Sequence, residues 1–505
     1  MKPIIKGMCA AAAATAIVMG SSCSKKEHVN PFLAEYDTEF QIPPFDRIEI
    51  DDYLPAFDAG IREANAKIDS IVSNPETPTF ENTIMPLSCL SPTLDRVMSV
   101  LMSLTEADSS DELTEVSEKI MPRYTAFNDE VMMNPGLFKR VEAVYNAIDT
   151  AAQPLDERRA IEETYRDFVR NGAKLGSSQQ TELKKVNTTL TDLYLKFNKN
   201  LLAANNAFEI VVDSKEELAG LPQNVIDNAA AEAEARGHEG KWVFTLHAPS
   251  RLAVLQYAQN RDLREKMWRG YTSNATKEGM DNRPVIVEIL KNRARKAELL
   301  GFKDYAAYAV SDKMAATPEA AEALLMKVWE PAKAKVAEEV AAMQKLSDES
   351  GNDFKIAPWD YYFFAEKVRQ KKYALDEAAI KPYFAVDSVR KGIFEMANRL
   401  YGITFTELPD APKYHKDVKV YEVKDAEGKH LAVFMTDYFT RASKRQGAWM
   451  EELKTSWVNP DGSVERPIVY NVGNFAPPTA DAPALLSIDD VQTMFHEFGH
   501  GLHGM

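Results

Sequence analysis

The feature that most constrains the fold is a helical spacing of apolar residues over much of the chain. Across residues 53–203, apolar side chains recur at three- and four-residue steps, as at Ile61, Ala64 and Ile68. This spacing places them on one face of an α-helix, and it returns over residues 251–346. A chain of 505 residues can hold two or three domains or one large helical body. We therefore predict a mainly α-helical protein.

Alternating patterns interrupt the helices at two places. Residues 208–212 and 242–246 are short β-like runs that predict a small strand pair. Residues 418–423 and 430–438 are separated by a turn with a glycine, which predicts a β-hairpin. Residues 468–472 predict a further strand. A small sheet is therefore expected in the second half of the chain.

The net charge excludes two classes of partner. The chain carries 76 acidic and 60 basic residues, a formal net charge of -16. Nucleic acid and anionic lipid would be repelled by such a surface. The charge is also what a solvated surface needs for solubility, so it does not identify a substrate.

The first 23 residues have the composition of a secretory signal peptide. Lys2 and Lys6 precede an apolar run at 8–20, which is too short to cross a bilayer about 30 Å thick as a helix. Small residues before Cys23 are typical of a lipoprotein signal, in which this cysteine is lipidated. Because Gly20 stands where such signals usually carry a larger aliphatic residue, ordinary signal-peptidase cleavage is the alternative. Either way we expect an exported protein, and with a lipidated Cys23 a cell-envelope lipoprotein facing the periplasm.

Residues 24–44 are predicted to form a polar tether that leads into the fold. Cys9 and Cys23 belong to the signal segment, so Cys89 is the one cysteine expected in the mature chain and no internal disulfide can form. No later segment reaches 18 consecutive apolar residues. A lipid anchor is therefore the only membrane contact that we predict.

The strongest chemical signal is the run His-Glu-Phe-Gly-His at residues 496–500. We expect this run in a helix capped by Asp489 and Asp490. Residues four apart share a helix face, so His496 and His500 can reach one metal ion, with Glu497 placed to take a proton from a water molecule. His503 is either a third ligand or a residue that supports the other two. The pattern is that of a zinc site.

With its flanks, this run resembles the thimet-oligopeptidase family of zinc peptidases, and most closely its bacterial peptidyl-dipeptidase branch. Similar segments extend from about residue 30 to the end of the chain. They are residues 30–32, 55–57, 80–84, 434–437, 447–450 and 483–490, together with Arg441, Lys444, Arg445 and the run 494–504.

The resemblance implies a mostly helical, two-lobed zincin-type peptidase with a deep channel and a small sheet beside the zinc helix. It implies release of C-terminal dipeptides from short peptides by attack of zinc-bound water. One Zn²⁺ would be held by His496 and His500, with Glu497 as general base. The third ligand of the family is a Glu on a following helix, and this sequence ends at Met505 before that position. We therefore expect an incomplete catalytic lobe and little or no activity from residues 1–505 alone.

These inferences give a domain prediction. It comprises a signal peptide over 1–23, a tether over 24–44, an N-terminal helical region over 45–250 with the strand pair, and a catalytic domain over 251–505 that is truncated after the zinc helix. The expected partners are short peptides, and the expected state is a monomer. A non-catalytic or vestigial peptide-binding protein of the same fold is the alternative.

Two further segments are candidates for substrate contact. Residues 468–475 could offer a sheet edge to which an extended peptide adds as a strand, with Asn474 near the site; an interior strand is the alternative. Arg441, Lys444 and Arg445 form a basic cluster that could attract the carboxylate of a peptide. A solvated turn is the alternative for this cluster.

Overall fold

The computed structural model of the chain describes residues 28–149, 153–374, 377–459, 462–479 and 482–505. The predicted signal peptide with Cys23 and the first residues of the predicted tether lie outside these ranges. The described residues form a mainly helical body with a small mixed sheet, which confirms the predicted fold class. The two lobes and the channel stay predictions.

Helices fill the first part of the described chain. They are α1 (Tyr53–Ser73), α2 (Met85–Ser88), α3 (Pro92–Ala107), α4 (Asp111–Met132), α5 (Pro135–Asn146), α6 (Leu155–Arg170) and α7 (Ser177–Ala207). The periodic residues Ala64, Ile68 and Ile71 are buried on one face of α1, as predicted. Helix α1 approaches α3 closely at Gly60, where a Cβ atom would lie 2.7 Å from the backbone nitrogen of Leu94. Glycine is therefore needed at this crossing.

The predicted strand pair and further helices follow. The elements are β1 (Ile210–Val212), α8 (Gln223–Ala235), β2 (Trp242–Phe244), α9 (Ala248–Tyr257), α10 (Arg261–Thr272), α11 (Arg283–Leu299), α12 (Tyr305–Val310), α13 (Pro318–Glu349), α14 (Tyr361–Tyr373), α15 (Glu377–Ile380) and α16 (Val386–Tyr401). Strands β1 and β2 pair antiparallel, which confirms the pair. Within the described ranges, no helix combines the length and apolar content needed to cross a membrane.

The last part of the chain forms a five-stranded sheet and a final helix. Its elements are β3 (Thr404–Glu407), β4 (Lys419–Lys424), β5 (His430–Phe439), β6 (Trp449–Lys454), β7 (Trp457–Val458), β8 (Val464–Glu465), β9 (Ile468–Phe475) and α17 (Ile488–Gly504). Strands β4 and β5 form the predicted hairpin, and β9 is the predicted further strand. The strand order is β3-β4-β5-β9-β6, and β7 and β8 pair separately.

Of the two interpretations of residues 468–475, the exposed edge is wrong and the interior strand is confirmed. Strand β9 pairs in parallel with β5 on one side and antiparallel with β6 on the other, so its backbone hydrogen bonds are satisfied within the sheet. All eight of its residues are buried. The edge on this side is β6, which the sequence pattern did not reveal.

The sheet has a different apolar core on each face. Ile468, Tyr470 and Val472 pack into a core shared with the N-terminal helices. Val469 and Phe475, which point the opposite way, pack with α16 and α17. The sheet therefore connects the N-terminal helices to the helix that carries the histidine pair. A third core, built from residues 212–267, crosses the predicted domain boundary after residue 250, and that division stays a prediction.

The described part of the predicted tether belongs to the fold. Phe32 and Ile42 are fully buried, and the ring of Phe32 lies 5.1 Å from that of Tyr53 on α1. The imidazole of His28 is 2.8 Å from the carboxylate of Asp52. The polar composition of residues 24–44 concealed these anchors, because two well-placed apolar side chains are enough to dock a short segment.

A buried carboxylate lies between three helices of the N-terminal region. Asp129 on α4 is 6% exposed, and its Oδ1 accepts a hydrogen bond of 2.7 Å from Asn187 on α7. Its Oδ2 and the Oδ1 of Asn187 are buried acceptors that no donor in the described part of the chain reaches. Burial raises the pKa of Asp129 to about 6, although the hydrogen bond from Asn187 and the charge of Lys296 on α11 oppose this shift.

Replacing Asp129 by asparagine should therefore stabilise the protein at neutral pH. The native state keeps its proton up to about pH 6, whereas the unfolded carboxyl loses it near the ordinary value of 3.8, so wild-type stability falls as the pH rises between these values. We expect Asp129→Asn to raise the free energy of unfolding by about 1–3 kcal/mol at pH 7.5 and by much less at pH 4. Urea unfolding at both pH values measures this, with Asp192→Asn at an exposed position of α7 as control. A loss of stability at pH 7.5 would contradict the account.

Candidate metal centre

Helix α17 begins with a reciprocal pair of side-chain caps. The Oγ of Ser487 accepts the backbone N–H of Asp490 at 3.0 Å, and the Oδ2 of Asp490 accepts the backbone N–H of Ser487 at 2.9 Å. The N-cap residue is therefore Ser487, and of the two predicted capping residues Asp490 takes part in the cap, whereas Asp489 does not. The spacing Ser-x-x-Asp is the signal that could have identified it.

The apolar side of α17 faces the sheet and orients the helix. Met494 and Phe498 are each 1% exposed. The ring of Phe498 lies 5.6 Å from that of Phe434 on β5 and packs edge-on against it. His496 and His500 are exposed on the outer side of the same helix. Burial of one face thus presents both imidazoles together.

The two imidazoles converge. The Nε2 atoms of His496 and His500 are 3.2 Å apart, and the ring planes are inclined by 84°. Zn–N bonds of about 2.0–2.1 Å would join both atoms to one ion at an angle of about 100°, close to tetrahedral. The pair therefore fits two positions of a zinc coordination sphere.

A third donor does not join the pair in the described part of the chain. No group of three or more His, Cys, Asp or Glu side chains that could hold a metal ion occurs in those ranges. His503 is exposed, and it lies near Glu452 on β6, where it opposes the rise in the pKa of this carboxyl that burial and Glu451 cause. The first of the two roles predicted for His503, a third ligand, thus has no support in this arrangement.

The turn of α17 between the histidines is fastened to the sheet. The Nδ2 of Asn471, a fully buried residue of β9, donates to the backbone carbonyl of Glu497 at 2.8 Å. The side chain of Glu497, the residue that follows His496, is partly exposed. Sequence reasoning missed Asn471, since no local pattern connects it with a residue 26 positions away.

The candidate substrate residue Arg441 belongs to a buried ionic network. Asp437 and Lys444 are fully buried, and the Nζ of Lys444 donates to Asp437 Oδ1 at 2.7 Å and to the carbonyl of Gly473 at 3.0 Å. The two Nη atoms of Arg441 donate to both carboxylate oxygens of Asp437, at 2.8 and 2.7 Å. The hydroxyl of Tyr414 donates to Oδ2 at 2.9 Å.

The solvated turn offered as the alternative for this cluster is therefore wrong for Lys444. Arg441 also contacts Asp108 at the end of α3, and Arg445 pairs with Glu106 of α3. The network joins the sheet to the N-terminal helices. The sequence signal for it was Asp437, the one acidic residue of strand β5. A substrate contact of Arg441 stays a prediction.

Asn474, the other candidate, holds a turn. It is 8% exposed, and its Nδ2 donates to the carbonyls of Arg445 and Gly447 at 2.9 and 2.7 Å. Gly447 has a φ of 108°, a conformation that favours glycine. This turn leads into β6, so Asn474 fixes where the edge strand begins. Its role as a substrate contact also stays a prediction.

A family model and the curated relatives agree on one family. A model of peptidase family M3 matches residues 254–505. The dipeptidyl carboxypeptidase of Escherichia coli (strain K12) is 38% identical over 480 residues, which cover 94% of this chain and 70% of that protein. Oligopeptidase A of the same organism is 32% identical over 481 residues, with the same coverage of both chains. The solved structure of PZ peptidase A with an inhibitor has a TM-score of 0.40 and 13% identity, and the match covers 92% of this chain and 64% of that one.

The histidine pair on a helix beside a small sheet and the similarity to the two Escherichia coli peptidases together define a metallopeptidase. The chain belongs to peptidase family M3. It spans 70% of the length of the two bacterial relatives and 64% of the solved structure.

Proposed function

We propose that this protein is a zinc-dependent peptidase that hydrolyses short peptides and releases dipeptides from their C-terminus. The observation that carries the proposal is the separation of 3.2 Å between the Nε2 atoms of His496 and His500, which suits two ligands of a single ion. Imidazole nitrogens are ligands that zinc prefers in proteins.

Each residue of the centre has a distinct part. His496 and His500 hold the ion through their Nε2 atoms. A bound Zn²⁺ would supply Lewis acidity to the peptide carbonyl and lower the pKa of a bound water to about 7. The carboxylate of Glu497 takes a proton from the attacking water and returns it to the leaving amine. The hydrogen bond from Asn471 to the backbone carbonyl of Glu497 helps to hold this residue in place.

The peptide is proposed to add to the sheet at β6. This strand pairs with β9 on one side and is the outer strand of the sheet on the other. Helix α17 packs against β6 and β9, so a peptide along this edge would run beside the helix that carries the histidines. Strand addition supplies affinity through main-chain hydrogen bonds and so tolerates many peptide sequences.

Two observations bear on the reaction. The name dipeptidyl carboxypeptidase belongs to the relative with 38% identity, which favours dipeptide release over the internal cleavage of an oligopeptidase. The imidazoles of His496 and His500 supply two metal ligands, and the described ranges supply no third, so we expect zinc to bind weakly. A non-catalytic protein of the same fold is therefore the second candidate. We therefore propose that residues 1–505 alone have little or no activity.

A peptide assay tests the proposal on the protein as its gene encodes it. The substrates are an N-terminally blocked peptide with a free C-terminus and the same peptide amidated, and the products are identified by mass spectrometry. We expect dipeptides from the free acid, none from the amide, loss of activity with a chelator and recovery with zinc. Equal internal cleavage of both peptides would identify an oligopeptidase. No cleavage of either would support the non-catalytic alternative.

A further inference from the structure

Asn471 occupies an unusual place for a polar side chain. It lies on the interior strand β9, between Thr436 of β5 and Met450 of β6, and it is fully buried. Its Nδ2 donates to the backbone carbonyl of Glu497, while its Oδ1 has no hydrogen-bond partner among the residues that the structure describes. A buried acceptor without a donor is unfavourable, so this side chain lowers the stability of the fold. Within the described ranges, the bond to α17 is the hydrogen bond that accounts for a polar side chain at this position.

The carbonyl that Asn471 binds lies within the turn that joins the two histidines. In an α-helix this carbonyl also accepts the N–H four residues later, that of Gly501. A second donor, fixed in a rigid strand, determines how the helix is rotated about its axis at this turn. Because the helix rotates as one body, a small rotation about its axis would move both imidazoles and the Glu497 carboxylate together.

Gly501 lets the helix approach close enough for this bond. A Cβ atom there would lie 3.2 Å from Cε2 of Phe434 and 3.4 Å from the Oδ1 of Asn471. A Cβ atom at Gly499, two residues earlier in the same helix, would meet nothing within 4 Å. Two glycines in one turn thus differ in their surroundings, and only Gly501 faces the asparagine.

We infer that Asn471 is a positioning residue, which fixes the rotation and depth of α17 over the sheet and so sets the geometry in which His496 and His500 bind a divalent cation. The inference rests on the proposed function. It concerns metal binding, which can be measured without turnover. Residues that orient metal ligands from behind commonly change metal affinity by about 10- to 100-fold when they are lost.

Cobalt titration of the protein as its gene encodes it tests the inference, because bound Co²⁺ reports its geometry through its visible absorption. Asn471→Leu keeps the size of the side chain but removes the donor. We expect the Co²⁺ dissociation constant to rise by about 10-fold and the spectrum to change. The matched control is Asn282→Leu. Asn282 is also buried, and its Nδ2 donates to a helix carbonyl, that of Phe197 on α7, at 3.0 Å. This variant should lose thermal stability but keep the wild-type affinity and spectrum.

A second pair of variants serves if Asn471→Leu does not fold. Gly501→Ala would press the helix away from Asn471 by a few tenths of an ångström, whereas Gly499→Ala would meet open space. We expect a weaker and spectrally altered Co²⁺ site in the first and an unchanged site in the second. Wild-type affinity and spectrum in both Asn471→Leu and Gly501→Ala would overturn the inference and leave the proposed function standing. Failure of the wild-type chain to bind Co²⁺ at all would instead count against the metal centre itself.

Discussion

Replacement of Glu497 by glutamine is expected to lower kcat for peptide hydrolysis by about 10²- to 10⁴-fold, the usual contribution of a general base. The amide has nearly the shape of the carboxylate but cannot accept a proton from water. Neither imidazole is altered, and the bond from Asn471 goes to the backbone of residue 497, which the substitution keeps. Metal binding and thermal stability should therefore stay close to those of the wild type.

Steady-state kinetics of the protein as its gene encodes it, on a blocked peptide and with metal content measured on the same samples, separates these effects. The control is Glu395→Gln at an exposed position of α16, which removes a carboxylate from the helix that packs beside α17. It should leave kcat unchanged. Wild-type kcat in the Glu497 variant would contradict the assignment of the base. A loss of metal with the loss of activity would show that Glu497 acts on the ion instead.

Replacement of Asp437 by asparagine is expected to lower the free energy of unfolding by about 3–5 kcal/mol, because it leaves two cations near a neutral amide. The carboxylate is fully buried and accepts hydrogen bonds from Arg441, Lys444 and Tyr414. Lys444 is itself fully buried, so its charge has no access to water. The loss should weaken the contact between the sheet and the N-terminal helices.

The same network predicts a pH dependence. Burial alone would raise the pKa of Asp437, but the hydrogen bonds and charges of Arg441 and Lys444 hold it below the ordinary value of 3.8. The contribution of this carboxyl to stability is therefore fully present above about pH 4 and is lost as the pH falls through the folded pKa. We expect the difference between wild type and Asp437→Asn to shrink at pH values below this window.

Urea unfolding at pH 7 compares this variant with Asp108→Asn. Asp108 accepts hydrogen bonds from Arg441 and Ser443 but is partly exposed, and its loss leaves Arg441 paired with Asp437. The control should cost only about 1 kcal/mol. Equal losses of unfolding free energy in the two variants would mean that the buried carboxylate of Asp437 contributes no more to stability than the partly exposed carboxylate of Asp108.

Features that depend on neighbouring residues could be predicted from the sequence. The periodicity of α1, the hairpin of β4 and β5, and the helix at 496–500 each follow from a spacing of two to four residues. The convergence of His496 and His500 belongs to the same group, since a helix brings residues four apart together whatever surrounds it. These features carry the main functional inference.

Features that depend on strand order could not be predicted in this way. The sequence left β9 open as an edge or an interior strand, and the pairing of β6, which comes before it in the chain, makes it an interior strand. The burial of Lys444 also depends on the folded sheet. Asp437 of β5 is buried there, and its carboxylate accepts a hydrogen bond from the Lys444 ammonium group. The contact between Asn471 and Glu497 joins two elements across the sheet face. Only the folded chain reveals such pairings.

The most direct test of the central claim is the zinc content of the protein as its gene encodes it, after equilibrium dialysis against excess Zn²⁺. We predict one zinc per chain in the wild type and a loss of this zinc in both His496→Ala and His500→Ala, with thermal unfolding as a check that each variant is folded. Absence of stoichiometric zinc in the wild type, or an undiminished content in folded samples of both variants, would contradict the assignment of the two imidazoles as metal ligands.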